Sequence, residues 1–103
     1  MPRTRAHLFG PTLLTGSAAT LFTATYITDV EAHCANNNNA AIAMTLSIGA
    51  DAAGTRIMPA VSIAANSYVD IRFTLNAGEI LQGFGGTTNK ITVDGAGYTY
   101  PPG

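Results

Sequence analysis

Two windows of this chain alternate apolar and polar residues with a period of two, and no ten-residue window carries a convincing period of 3.6. In one, Ile42, Met44, Leu46 and Ile48 alternate with Ala43, Thr45 and Ser47. In the other, Val69, Ile71, Phe73 and Leu75 alternate with Tyr68, Asp70, Arg72 and Thr74, which places both charges on the polar face. Successive side chains of a strand point to opposite sides, so each window reads as a half-buried strand. Burial of one such apolar side chain stabilises by about 1.5 to 3 kcal/mol, against an ordering cost of ~1 to 2 kcal/mol per backbone residue. Two strands cannot meet that cost, so a second sheet is required.

Further strands supply it. Leu13-Leu14 and Ala19 to Thr23 flank Gly16-Ser17, which reads as a turn between two short strands. Tyr26, Thr28, Val30, Ala32 and Cys34 form one face of a strand whose other face carries Asp29, Glu31 and His33. Ile57 to Ile63 contains Pro59, which cannot donate to a ladder and assigns this piece to an edge or a bulge. Ile80 to Gly85 and Ile91 to Asp94 also alternate, while an alanine-rich helical turn at Ala40 to Met44 remains open. Asn36 to Asn39 is a polar tract that reads as a loop, because Asn tolerates left-handed backbone and self-capping turns. Four more turns fall at Gly49 to Thr55, Ala65-Asn66, Asn76 to Gly78 and Gly86 to Asn89. About eight short antiparallel strands with regularly spaced turns predict an all-β fold, a single β-sandwich or jelly-roll-like domain.

With 103 residues there is room for that one domain, residues 1–103, and for no second. Residues 1–10 are expected to be an extended N-terminal arm and 98–103 a Pro-terminated tail. A secretory leader is not expected, since Gly10, Pro11, Thr12, Thr15 and Gly16 interrupt the apolar stretch that one needs. Nor does any run reach the 18 apolar residues of a spanning helix. Charged residues make up only 11% of the chain, and the formal net charge is -1. Neither nucleic acid nor an anionic membrane finds the clustered Lys and Arg that it needs as a partner. Disorder is excluded as well, since disordered chains combine low hydrophobicity with high net charge.

Catalytic chemistry finds little to work with. Cys34 cannot close an intrachain disulfide, and its neighbour His33 points to the opposite face, so Cys34 reads as a small buried hydrophobe rather than a nucleophile. Asp29, Glu31 and His33 share a strand face and are the sharpest chemical constellation, able in principle to hold a metal or titrate near neutral pH. A solvated face or a polar subunit contact is the expected reading, with no metal and no cofactor. Paired carboxylates for sugar hydrolysis lack a cleft, and Gly83 to Gly86 lacks the GK[ST] ending of a phosphate loop. No catalytic residue is assigned, and the chain is expected not to be an enzyme.

A surface of Thr, Ala, Ser and Asn hydrates without repelling a neighbour, which suits assembly. The residues expected to make protein contacts lie in the two arms: Arg3, Arg5, His7, Phe9, Tyr98 and Tyr100. Gly10-Pro11 leading to Leu13-Leu14-Thr15, Ala18 to Phe22, Val30 to His33 followed by Asn36, Thr45 to Ile57, Ser62 to Asn66 and Ala77 to Gln82 resemble small structural virion proteins of tailed bacteriophages and prophages. The likeness covers roughly residues 9–94 and departs at Asn36 to Asn39 and at the Tyr-Pro ending. It implies a virion protein made in the host cytoplasm, either a decoration (cement) protein on the capsid surface or a minor tail, collar or baseplate protein able to bind a host glycan. By analogy with cement proteins it implies a homo-oligomer, a trimer, bound through its N-terminal arm to the major capsid protein or another virion protein. No functional residue carries over from the resemblance.

Overall fold

Among the described residues, eight antiparallel strands in two four-stranded sheets form an all-β sandwich. The computed structural model describes residues 3–52, 54–87 and 90–102. In chain order the strands are β1 (Thr4–Leu13), β2 (Ala19–Thr23), β3 (Ile27–Asn36), β4 (Ile42–Ile48), β5 (Arg56–Ile63), β6 (Tyr68–Leu75), β7 (Ile80–Gly85) and β8 (Ile91–Tyr100). One sheet has the order β1-β8-β3-β6 and the other β2-β7-β4-β5. Only β4 and β5 are consecutive strands that pair with each other; every other connection passes between sheets. That order is the two-Greek-key winding of a jelly roll.

The core lies where the alternation placed it. Val30, Ala32 and Cys34 of β3, Ile42, Met44 and Leu46 of β4, Leu75, Leu81, Ile91 and Val93 are all buried. Burial pushes the Cys34 thiol up to about 12, so at neutral pH it stays protonated behind the sheet. β5 is an edge, as Pro59 requires, and it also bulges at Ala60 (φ 43°), whose N–H donates to the Thr45 hydroxyl at 3.1 Å.

Three expectations change. Residues 4–10 are not a free arm but the first part of β1, hydrogen-bonded along β8, and the tail from Tyr98 continues β8 to Tyr100. Met1, Pro2 and Gly103 lie outside the described residues. Secondly, the turn at Gly16-Ser17 does lie between two strands, but β1 and β2 belong to different sheets, so it is a corner between them, and the strand before it is the ten-residue β1 rather than a short one. Thirdly, Asn36 ends β3 as a fully buried residue, and the loop begins after it.

Phe9 explains why β1 belongs to the sheet. Its ring occupies the space where a side chain on Gly95 would stand, and it stacks on Phe22 of the opposite sheet at 5.6 Å between centroids. With 8% of its surface exposed, Phe9 is a core residue and not an exposed contact. A Gly95→Ala variant should force this ring aside and destabilise the fold by about 1 to 3 kcal/mol, as overpacking does. Denaturant unfolding checks this, and an unchanged midpoint contradicts it.

Candidate functional site

Cross-strand registers collect most of the charge of the chain on one surface. Partners in register share a sheet face, and on the outer face of β1-β8-β3-β6 they form three rows: Asp94, His33 and Asp70; Ala96, Glu31 and Arg72; Tyr98, Asp29 and Thr74. Arg3 and Arg5 join them from β1 and the residue before it, with their guanidinium carbons 4.2 and 5.6 Å from the Tyr98 ring centroid. His7 bonds Asp94 at 2.6 Å and His33 bonds Asp70 at 2.6 Å, while Arg72 meets Glu31 at 3.2 Å. Seven of the eleven charged residues and both histidines thus stand on this sheet. A groove of about 610 Å³ runs between Arg3, Arg5, Asp29, Glu31, Arg72 and Tyr98.

Asp29 is the best-held carboxylate of the group. Tyr100 donates its hydroxyl to one oxygen at 2.6 Å and Thr74 donates to the other at 2.7 Å. Those two bonds, with the positive charge of Arg3 behind them, hold the Asp29 carboxyl below its usual range, and the Tyr100 hydroxyl is raised in return. A carboxylate whose pKa is lower folded than unfolded adds stability above the unfolded value. That contribution is lost as pH falls through the folded value. Tyr100→Phe should therefore move the Asp29 titration up toward that of a free carboxylate, read by side-chain carboxyl NMR. An unmoved titration contradicts the assignment.

The expected face of Asp29, Glu31 and His33 exists, but its members turn to neighbours on β6 and β8 rather than to one another. Among the described residues no three His, Cys, Asp or Glu side chains converge as a metal would require. Of the residues expected to make contacts, Arg3, Arg5, His7, Tyr98 and Tyr100 gather at the β1-β8 side of this charged face. Asp70, Arg72 and Asp94 complete it, and sequence reasoning did not bring them there.

The outer face of β2-β7-β4-β5 is its opposite. Thr20, Gln82 and Ser47 form one row, which Arg56 ends as the partner of Ser47 on β5. Phe84 and Thr45 form a second, Ala43 and Ser62 a third, and Thr23 and Ile80 a fourth, with Ser47 and Thr45 themselves buried. Gln82 donates to the Thr20 hydroxyl at 3.2 Å across the strands. The charges of this sheet lie at its margins: Arg56 forks onto Asp51 at 2.8 and 3.1 Å and closes the β4-β5 turn, and Glu79, just before β7, accepts the Asn76 N–H at 2.6 Å. The molecule is thus a sandwich with one side charged across its middle and one side charged only at its margins.

Compared with known proteins, the chain matches no family model and no curated sequence. No helix among the described residues is long and apolar enough to cross a membrane.

Proposed function

We propose that this chain is a non-enzymatic structural protein of a tailed-phage particle, a decoration protein that seats the sheet charged only at its margins on the head lattice. The observation that carries the reading is the segregation of charge between the two faces. A surface of Thr, Ser, Gln, Ala and half-buried Phe84 and Ile80 can lose its water against protein without stranding an ion. The opposite face, lined with paired carboxylates, histidines and arginines, suits solvent.

The resemblance to small virion proteins supports the same class. The fold agrees without selecting it, since jelly rolls serve viral capsids and lectins alike. Docking through a free N-terminal arm is replaced by docking through a sheet face, because residues 4–10 are built into β1 and Phe9 into the core. A tail protein that binds glycans calls for open aromatic faces; Tyr98 lies beneath Arg3 and Tyr68 leans on His33 at 4.8 Å. That leaves Tyr26 and the free side of Tyr68 as the exposed rings, away from any shared cleft with Tyr98. Locating and counting the protein on its source particle tests the reading. Many copies spread over the head are expected. A few copies at one vertex would move it to the tail or collar, and absence from the particle would refute it.

A further inference from the structure

We propose that β6 is a dimerisation edge, along which two copies of this chain pair antiparallel about a two-fold axis at Ile71. The inference rests on strand geometry and does not depend on the virion reading.

A sandwich of two open sheets has four edges, here β1, β6, β2 and β5. Unpaired edges are templates for further strands, and proteins blunt them with proline, bulges, short length or charge. β1 carries Gly10 at φ 83°, Pro11 without an N–H, and two register shifts. β5 carries Pro59, Ala60 at φ 43° and two shifts, and β2 has five residues and one shift. β6 has no proline and no bulge and is not short: its eight residues run in unbroken register with β3 from Leu75 to Tyr68.

The only guards on β6 are Asp70 and Arg72, which have opposite signs and stand two residues apart. With Ile71 opposite Ile71 of a second copy, each Asp70 faces the other copy's Arg72. Slipping the register by two residues in either direction sets Asp70 against Asp70 or Arg72 against Arg72. Opposite charges across strands stabilise a pair and like charges destabilise it, so the two residues select one register for self-pairing. The seam also extends the existing row: Glu31 holds Arg72, and His33 holds Asp70, so the chain of polar side-chain pairs runs from one sheet into the next. On the inner side Val69, Ile71 and Phe73 are only half-buried, while their counterparts on β3 are fully buried. Pairing sets Ile71 on Ile71 and Val69 on Phe73, which covers that margin.

The axis is perpendicular to the joined sheet, so the faces charged only at their margins look the same way in both copies and form one larger surface. A two-fold pair replaces the trimer that cement proteins suggest.

Sedimentation equilibrium of the full chain should give twice the 10.6 kDa of one copy; a monomer or a trimer overturns the proposal. Arg72→Asp and Asp70→Arg should each weaken the dimer roughly tenfold or more, with unchanged circular dichroism. Mixing the two variants sets an acidic edge against a basic one and should restore the dimer. Folded variants that still self-pair as the wild type does, or a mixture that stays monomeric, overturn the proposal. Particle binding by a monomer would leave the virion reading standing and remove this one alone.

Discussion

Replacing Asn36 by leucine should lower the unfolding free energy by about 3 kcal/mol, although the residue opens a run of four asparagines that reads as a surface loop. Asn36 is 1% exposed. Its Nδ2 donates to the carbonyls of Ala40 and Ile63 at 3.0 Å and of Ala64 at 3.3 Å, and its Oδ1 accepts the N–H of Asn38 at 3.0 Å. One side chain thus ties the end of β3 to the following loop and to the end of β5. Leucine fills a similar volume but leaves those backbone groups without a partner, at about 1 to 3 kcal/mol for each group that water cannot reach. Urea unfolding should show a lower midpoint at constant slope. Asn39→Ala, at an exposed position in the same tract, should change stability by no more than about 0.5 kcal/mol. Equal effects at the two positions would contradict the buried role of Asn36.

That tract marks where the sequence was legible and where it was not. Strands β4 and β6 were readable because one face of each is covered and the other is not, which leaves a period of two in the residues. Pro59 announced the β5 edge by its missing N–H. β1 was hidden because Arg3, Arg5 and His7 are polar on its outer side, and because its inner anchor, Phe9, fits only into the gap at Gly95, far along the chain. The turn at Gly16-Ser17 was legible, but not that it is a corner, because a turn residue does not encode whether the next strand joins the same sheet. The charged face was half visible: the alternation put Asp29, Glu31 and His33 together, and Asp70 and Arg72 together. What joined them is the register of β3 against β6, which pairs distant residues, such as His33 and Asp70, 37 apart, through backbone bonds common to every sequence. The buried role of Asn36 depends on the end of β5 arriving beside it, and no local signal reports that.

The low overall charge, which first suggested assembly, turns out to be unevenly spread. The account stands on the outer face of β2-β7-β4-β5, charged only at its margins, being the surface that meets the particle. Gln82 sits between Thr20 and Ser47 in that face, and Gln82→Glu adds one negative charge with almost no change of shape. A charge brought unpaired into a dry interface costs about 2 to 5 kcal/mol, so binding should fall roughly thirtyfold or more. On the opposite sheet, Glu31 is exposed beside Arg72, and Glu31→Gln should leave binding within about twofold, since exposed ion pairs contribute little. The decisive measurement is the affinity of these two folded variants for source particles stripped of the protein. Loss with Gln82→Glu and retention with Glu31→Gln is the predicted result, whereas wild-type binding by Gln82→Glu, or loss with Glu31→Gln alone, would contradict it.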